Sequence, residues 1–162
     1  MQHSLTAMLL YTLLRPILIP AVVLAGSVTE PIAQSAATPR AERAEITRGT
    51  AAVTAVIAKK YPYSVAYRSI RNCLEKNVQQ QQDSDAFLIG AHLTAAFWLA
   101  KLPKDLSWRD KALARHRDIV QWLMPRLGLR ADEVTHTVAQ AAGFTPASEQ
   151  QLRNFLRQTI RQ

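Results

Sequence analysis

The sequence predicts an all-α protein, a compact bundle of five or six helices around a buried central helix at about residues 85–101. Glycine is scarce, with 5 residues in 162, whereas alanine and glutamine, which favour helix, are plentiful. No stretch alternates apolar and polar residues as a half-buried strand would, and no Asn-Gly or Asp-Gly pair marks a hairpin turn. Apolar residues instead recur at helical spacing between capping residues and prolines.

The first two helices are predicted by their start signals and one-sided apolar faces. Thr38-Pro39 supplies an N-cap and a first-position proline, and the first helix ends at "KKYPY". Pro62 begins the second helix, which ends at the glutamine run. The expected inner faces are Ile46, Thr50, Val53 and Ile57 in the first helix, and Tyr63, Tyr67, Ile70, Leu74 and Val78 in the second.

The third helix, "DAFLIGAHLTAAFWLAK", is the most apolar stretch after the N-terminal region, and Asp83 or Ser84 caps it. Residues 86–100 would rise only about 22 Å as a helix, whereas a bilayer's hydrocarbon layer is about 30 Å thick. The stretch is therefore predicted to be a core helix, apolar nearly all round. A thin polar strip is formed by Gly90, Thr94 and Lys101.

The fourth helix is predicted to start at Trp108, because Ser107 and Asp110 have the spacing of a Ser-x-x-Asp capping box. Pro125 is expected to kink or end it, and Gly128 to provide a left-handed stop.

A weaker fifth helix is predicted at residues 132–142, ending at Gly143. Thr145-Pro146 repeats the start signal of the first helix. The last helix follows, with Leu152, Phe155, Leu156 and Ile160 on its apolar face.

Residues 1–37 are expected to be an export leader or N-terminal anchor followed by a linker, and residues 38–162 a single helical domain. Arg15 precedes an apolar stretch at residues 16–25, and small residues follow, which is the order of a secretory leader. Candidate cleavage points follow Ala25 and Ala37, and Met8 is an alternative start.

The alternative is an uncleaved membrane anchor at residues 5–25, long enough to span a bilayer. Arg15 at its centre would cost about 2.5–3.5 kcal/mol on insertion scales, and two prolines interrupt it. We therefore expect a periplasmic or secreted protein, with a membrane-anchored one as the alternative and a cytosolic helix as a third interpretation.

The charge balance predicts an anionic partner. Lys and Arg number 20 against 12 Asp and Glu, a net charge of +8. Nucleic acid, a lipid surface, a cell-wall polymer and an acidic protein all fit this balance. The single cysteine, Cys73, excludes an internal disulfide, and no sequence motif for a nucleotide, a metal, a haem or a nucleophilic serine occurs. No cofactor is therefore expected.

A basic aromatic face on the fourth helix is the first candidate site. At about 100° per residue its members fall within about 60° of arc, and Arg115 and Arg126 lie within reach of the Trp122 ring. Trp and Arg are enriched at binding hot spots. The alternative is that the tryptophans lean on the core edge and the cations form a solvated rim. The predicted partner-binding residues are Trp108, Lys111, Arg115, Trp122 and Arg126.

A secondary basic stripe on the last helix consists of Arg153, Arg157 and Arg161, each four residues from the next. Such a stripe can follow a phosphate backbone or lie on anionic lipid. It is also what an ordinary solvated exterior looks like.

His92 and His116 are expected to lie inside the bundle on neighbouring helices, because each points toward the apolar side of its helix. Two such imidazoles could ligate a haem or metal, or act as acid and base. No carboxylate or cysteine lies three or four residues away on the same face, so no metal is expected. The alternative is that each ring forms a hydrogen bond within the core.

These observations predict a small, basic, exported protein that binds a macromolecular partner without catalysis, as an adaptor, inhibitor or immunity-type protein does. The expected partner is an acidic protein or another anionic macromolecule of the cell envelope. One alternative is a nucleic-acid-binding protein. Another is a cofactor carrier or enzyme that depends on His92 and His116.

Overall fold

The computed structural model describes residues 38–79 and 84–161, which are all-helical and contain no strand. The predicted fold class is confirmed. The leader, anchor and linker predicted in residues 1–37 lie outside the described residues. The helices are α1 (Pro39–Ile57), α2 (Tyr63–Gln79), α3 (Asp85–Lys101), α4 (Arg109–Leu123), α5 (Ala131–Ala142) and α6 (Pro146–Ile160), with a 3-10 helix at Met124–Arg126.

Helix α3 is the centre of the bundle, as predicted. Of its 17 residues, 12 are buried, and it packs mainly against α1 and α4. Within the described part of the chain, no helix has both the length and the apolar character needed to cross a bilayer.

Buried apolar side chains form two clusters that include residues of α3, and each fully buried side chain contributes about 1.5–3 kcal/mol relative to exposure. The larger cluster joins α1, α3, α4, α5 and α6, and the smaller one joins α2 to α1 and α3. Representative members are Ile46, Leu93, Val120, Val134 and Leu156 in the larger cluster and Val53, Ile70 and Phe87 in the smaller one.

Two glycines allow α1 and α3 to cross in backbone contact. A Cβ at Gly49 would overlap the carbonyl oxygen of Phe87, and a Cβ at Gly90 would overlap the carbonyl oxygen of Ile46. Only glycine fits at either position without moving a helix, so this pair sets the separation of α1 and α3.

The predicted polar strip of α3 lies mostly at this crossing. Thr94 is buried, and its hydroxyl donates to the Gly90 carbonyl at 2.6 Å. The Thr50 hydroxyl of α1 donates to the same carbonyl at 3.4 Å. Only Lys101 is exposed. Gly90 and Thr94 therefore belong to the contact surface between α1 and α3, because small residues let the two helix backbones approach closely.

Three predicted helix starts are confirmed by side-chain caps. The hydroxyls of Thr38, Ser84 and Thr145 each accept a hydrogen bond from the backbone N–H three residues later, at 3.3, 3.2 and 3.2 Å. Helix α5 ends before Gly143, as predicted, and the φ of 67° at this glycine is a left-handed conformation that closes the helix.

The predicted capping box at Ser107 and Asp110 is wrong. Helix α4 begins at Arg109, after an N-cap residue, Trp108, with no side-chain cap. The Asp110 carboxylate instead accepts from the Arg109 guanidinium at 2.6 Å. The Arg109 guanidinium is buried and needs a charged acceptor. The Asp110 carboxylate therefore pairs with this guanidinium and does not cap the start of the helix.

The predicted left-handed stop at Gly128 is also wrong. Pro125 does end α4, within the 3-10 helix, and Leu127 is then extended, with φ −85° and ψ 150°. The N–H of Gly128 donates to the buried Glu42 carboxylate at 3.1 Å. In the described ranges Gly143 alone among glycines has a positive φ. A side chain from α1 therefore satisfies this N–H, and no left-handed turn is needed.

Two residues predicted on inner faces lie at the margin. Tyr63 is 46% exposed and touches Trp98 edge-on, at 6.5 Å between ring centres, and Ile160 is 39% exposed. Both lie at helix ends, where the neighbouring helix no longer covers them. The Val78 side chain lies outside the described residues.

Candidate functional site

An aromatic stack joins α2 to the start of α4. The rings of Tyr67 and Trp108 are nearly parallel, with centres 5.2 Å apart and 15° between their planes. Both side chains are half-buried. The stack forms the apolar floor of a surface groove between the two helices, here called the α2–α4 groove.

Cations line the walls of this groove. Lys111 and Arg115 are exposed on α4, and Arg71 faces them from α2. Arg71 pairs with Glu75 at 3.1 Å, an exposed pair that contributes little to stability. In residues 38–79 and 84–161, no carboxylate pairs with Lys111 or Arg115. The α2–α4 groove has a volume of about 400 Å³ and is lined by Tyr67, Arg71, Ser107, Trp108, Lys111, Ala112 and Arg115.

The structure thus brings together three of the five residues predicted on the basic aromatic face, namely Trp108, Lys111 and Arg115. Sequence reasoning missed the contribution of α2. The sequence predicts an inner-face position for Tyr67, and no motif distinguishes Arg71, which lies one turn later on the same side. The spacing within α4 contains no information about which helix lies beside it.

The other two residues form a separate surface, here called the Trp122 platform. Trp122 is 63% exposed, and the Arg126 guanidinium lies 4.4 Å from its ring centre, as predicted. The Arg126 Nε donates to Asp85 at 2.8 Å, which holds the arginine in place. Trp122 is 14 residues beyond Trp108, or about 21 Å along the helix axis. The predicted single face is therefore two surfaces.

The basic stripe of α6 is largely neutralised by acidic residues. Arg157 pairs with Asp132 of α5 at 3.2 Å, and Arg153 pairs with Glu149 at 3.2 Å and Asp132 at 3.6 Å. Arg161 is exposed. Two of the three predicted cations thus help to dock α6 on α5, which leaves less positive charge for an external phosphate backbone.

The two predicted interior histidines are buried and in direct contact. His92 is 8% exposed and His116 is 3% exposed. Their Nδ1 atoms are 2.8 Å apart, so one ring donates its Nδ1 proton and the other accepts it. The His116 Nε2 atom is buried with no hydrogen-bond partner among the described residues.

Burial holds both histidines neutral. Burial, with a smaller effect of the Arg115 charge, lowers the pKa of His92 from 6.5 to about 4. Burial, followed by His92 and Arg115, lowers the pKa of His116 to about 3. Neutral rings can share one proton at 2.8 Å, whereas two protonated rings would repel each other.

The histidine pair lies beneath the α2–α4 groove. Both histidines line a cavity of about 40 Å³, which is large enough for one water molecule. Tyr67, Arg71 and Arg115 line both this cavity and the groove. Burial raises the pKa of the Tyr67 phenol, which Arg115 and Arg71 partly oppose, so the phenol stays neutral at physiological pH.

The surroundings of the pair do not form an ordinary metal site. Within the part of the chain that the structure describes, no group of three His, Cys, Asp or Glu side chains is arranged to hold a metal ion. Protein zinc sites use three or four such ligands. The arrangement at His92 and His116 is that of a buried hydrogen-bonded pair.

Comparison with protein-family models, curated proteins and solved structures found no match to this chain.

Proposed function

We propose that this protein binds an acidic macromolecular partner without catalysis, in the manner of an adaptor, inhibitor or immunity-type protein. The observation that supports this best is the α2–α4 groove. Lys111 and Arg115 lie beside the Tyr67–Trp108 stack without an acidic partner in the described ranges. A groove with aromatic floor and cationic walls accepts an acidic side chain together with an apolar neighbour.

The chemistry of this recognition follows from the residue types. Arg115 offers a planar set of donors that matches a carboxylate, and Lys111 adds a second charge on a flexible stem. The tryptophan and tyrosine supply rigid contact area with little loss of side-chain entropy. The net charge of +8 would speed encounter with an acidic surface.

A peptide-binding measurement tests the groove. The probe is a fluorescently labelled Glu-rich peptide, and its affinity is measured by anisotropy for the wild type and for Lys111→Gln/Arg115→Gln. The matched control is Arg40→Gln/Lys104→Gln, which removes two exposed cations outside the groove. We expect the groove variant to bind about tenfold more weakly or worse, and the control to change by about twofold at most. Equal losses would mean non-specific charge attraction and would refute the proposal.

A photo-crosslinking experiment searches for the natural partner. A photoreactive amino acid replaces the exposed Ser107 at the groove, and the matched control carries it at the exposed Gln158 of α6. We expect one discrete acidic protein to cross-link at position 107 and not at 158. Identical product patterns at both positions would contradict a groove-specific partner.

The proposed location is the periplasm or the exterior, supported by the leader pattern in residues 1–37. The intact mass of the native protein tests it. A mass that lacks residues 1–25 or 1–37 is expected, whereas a full-length mass favours the anchor at residues 5–25.

A nucleic-acid-binding role is the second candidate, and the Trp122 platform favours it. An exposed tryptophan with a guanidinium on its face can stack on a base of a single strand. Against it, two of the three stripe arginines are already paired. Titration with single-stranded DNA at two salt concentrations tests this role. Salt-dependent binding that Trp122→Ala abolishes would support it, and no binding at low ionic strength would end it.

A further inference from the structure

A second cavity lies between the C-terminal ends of α1, α3 and α5 and shares no lining residue with the α2–α4 groove. Its volume is about 290 Å³. Its walls are mainly apolar and include Ile57, Phe97, Trp98 and Phe144. A concave, mostly apolar site with a few polar groups is what small-molecule sites in proteins usually look like.

Two polar groups of this cavity have no acidic or hydrogen-bonding partner in the part of the chain described. The Thr54 hydroxyl is buried and unpaired. The Lys101 ammonium lies over the aromatic wall, 4.2 Å from the Phe97 ring centre and 5.7 Å from that of Phe144. The aromatic faces hold this cation at the edge of the cavity, and no carboxylate of the described residues pairs with it.

These two groups restrict the chemistry of a ligand. A cationic ligand would be repelled by Lys101, and a purely apolar one would leave the Thr54 hydroxyl unpaired. A carboxylate accepts hydrogen bonds from both an ammonium and a hydroxyl. The remaining walls are suited to a hydrocarbon or aryl body.

We propose that this cavity binds a small monocarboxylate with an apolar body, such as a medium-chain fatty acid. Its chain lies between the Phe97, Trp98 and Phe144 rings. Its carboxylate accepts hydrogen bonds from Lys101 and Thr54. This site is separate from the groove and adds small-molecule binding to the proposed partner-binding role.

Calorimetric titration of the full chain with decanoate, below its micellar concentration, tests the site. We expect one saturable site that binds decanoate about tenfold more tightly than decanol, the effect of one charge-assisted hydrogen bond. Decylamine is expected to bind more weakly than decanol. Equal affinities for the acid and the alcohol, or no saturable binding, would overturn the proposal.

Substitutions of residues that line the cavity test whether decanoate binds there. Lys101→Met keeps the length and apolar stem but removes the charge, and it should reduce decanoate affinity to that of decanol while leaving decanol unchanged. Lys104→Met, at an exposed lysine beyond the end of α3, is the matched control and should bind like the wild type.

A second variant, Ala142→Phe, fills the cavity from α5 without changing any charge. It should abolish binding of both the acid and the alcohol while the protein stays helical by circular dichroism. Undiminished decanoate binding by Lys101→Met, or by a folded Ala142→Phe, would place the ligand elsewhere and refute the proposal.

Discussion

His92 and His116 share a proton between Nδ1 atoms 2.8 Å apart in the interior, between the central helix and α4. The pair is stable only while both rings are neutral or one alone is protonated, because two buried cations at this distance repel strongly. Tyr67 packs edge-on against His116, at 5.9 Å between ring centres, and also lines the α2–α4 groove. The charged groups that face it from α2 and α4 are Arg71, Glu75 and Arg115.

Acid should destabilise the protein through this pair. The folded pKa values of about 4 and about 3 lie below the unfolded value of 6.5. Below pH 6.5 the unfolded chain therefore binds more protons than the folded chain does. The contribution of the pair to the free energy of unfolding is fully present above pH 6.5 and is lost as pH falls toward 4. Urea unfolding at pH 7.5 and pH 5.0 should show a loss on the order of 2 kcal/mol per ring.

Replacing both rings should remove this acid sensitivity. His92→Leu/His116→Leu deletes both partners of the hydrogen bond at once, so its stability at pH 7.5 should be close to that of the wild type. Its unfolding free energy should hardly change down to pH 5.0. The control His136→Gln changes an exposed ring and leaves the buried pair intact, so the loss of stability assigned to that pair should remain. If the double variant lost as much stability between pH 7.5 and pH 5.0 as the wild type, the acid sensitivity would not arise from the His92–His116 pair.

Adding one methyl group at the α1–α3 crossing should destabilise the bundle. Gly90→Ala would push its Cβ into the Ile46 carbonyl, and Gly49→Ala into the Phe87 carbonyl. We expect a loss of about 2–3 kcal/mol for each in urea unfolding. A loss of stability would itself indicate the close contact, because a Gly→Ala substitution in an unconstrained helix is stabilising by up to about 1 kcal/mol.

The control, away from this crossing, is Gly143→Ala at the end of α5. A Cβ at Gly143 would meet no atom within 4 Å, but its φ of 67° is unfavourable for alanine. We expect a loss of about 1–2 kcal/mol from backbone strain alone. A stabilised Gly90→Ala variant would show that the two helices are not in backbone contact.

Arg109 should prove a structural residue. It is 7% exposed, and its guanidinium donates to the carbonyls of Leu99 at 2.9 Å and Ala100 at 2.8 Å, near the end of α3. Positive charge is favourable at a helix C-terminus. Arg109→Met should cost about 2–3 kcal/mol, because it removes the buried guanidinium that donates to both carbonyls. Arg40→Met, at an exposed position, should change stability by less than about 0.5 kcal/mol.

Trp122→Ala should weaken partner binding without changing the stability of the fold. The ring is 63% exposed, so its removal should change the unfolding free energy by less than about 0.5 kcal/mol. If the partner that cross-links at the groove also contacts the platform, its affinity should fall about tenfold. Tyr61→Ala is the control, since Tyr61 is also exposed with a cation, Lys59, 5.9 Å from its ring centre. Equal affinities for both variants would exclude the platform from the interface.

The helices and the interior of the bundle follow from the sequence because their determinants are local. Three helices are capped by a side chain that accepts from the backbone N–H three residues later, at Thr38, Ser84 and Thr145. This short separation is visible in the sequence itself. The apolar run of α3 has no polar face to turn outward, so it had to be central. Each histidine lies within an apolar arc, and that alone predicts its burial.

What only the tertiary structure decided is which faces meet. The contact of His92 with His116, the joining of Tyr67 to Trp108 and the pairing of Arg157 with Asp132 each depend on how helices distant in the chain are rotated and crossed. Spacing within one helix specifies the direction of a side chain but not its neighbour. The close approach at Gly49 and Gly90 sets that arrangement, because a carbonyl there occupies the space of a missing side chain.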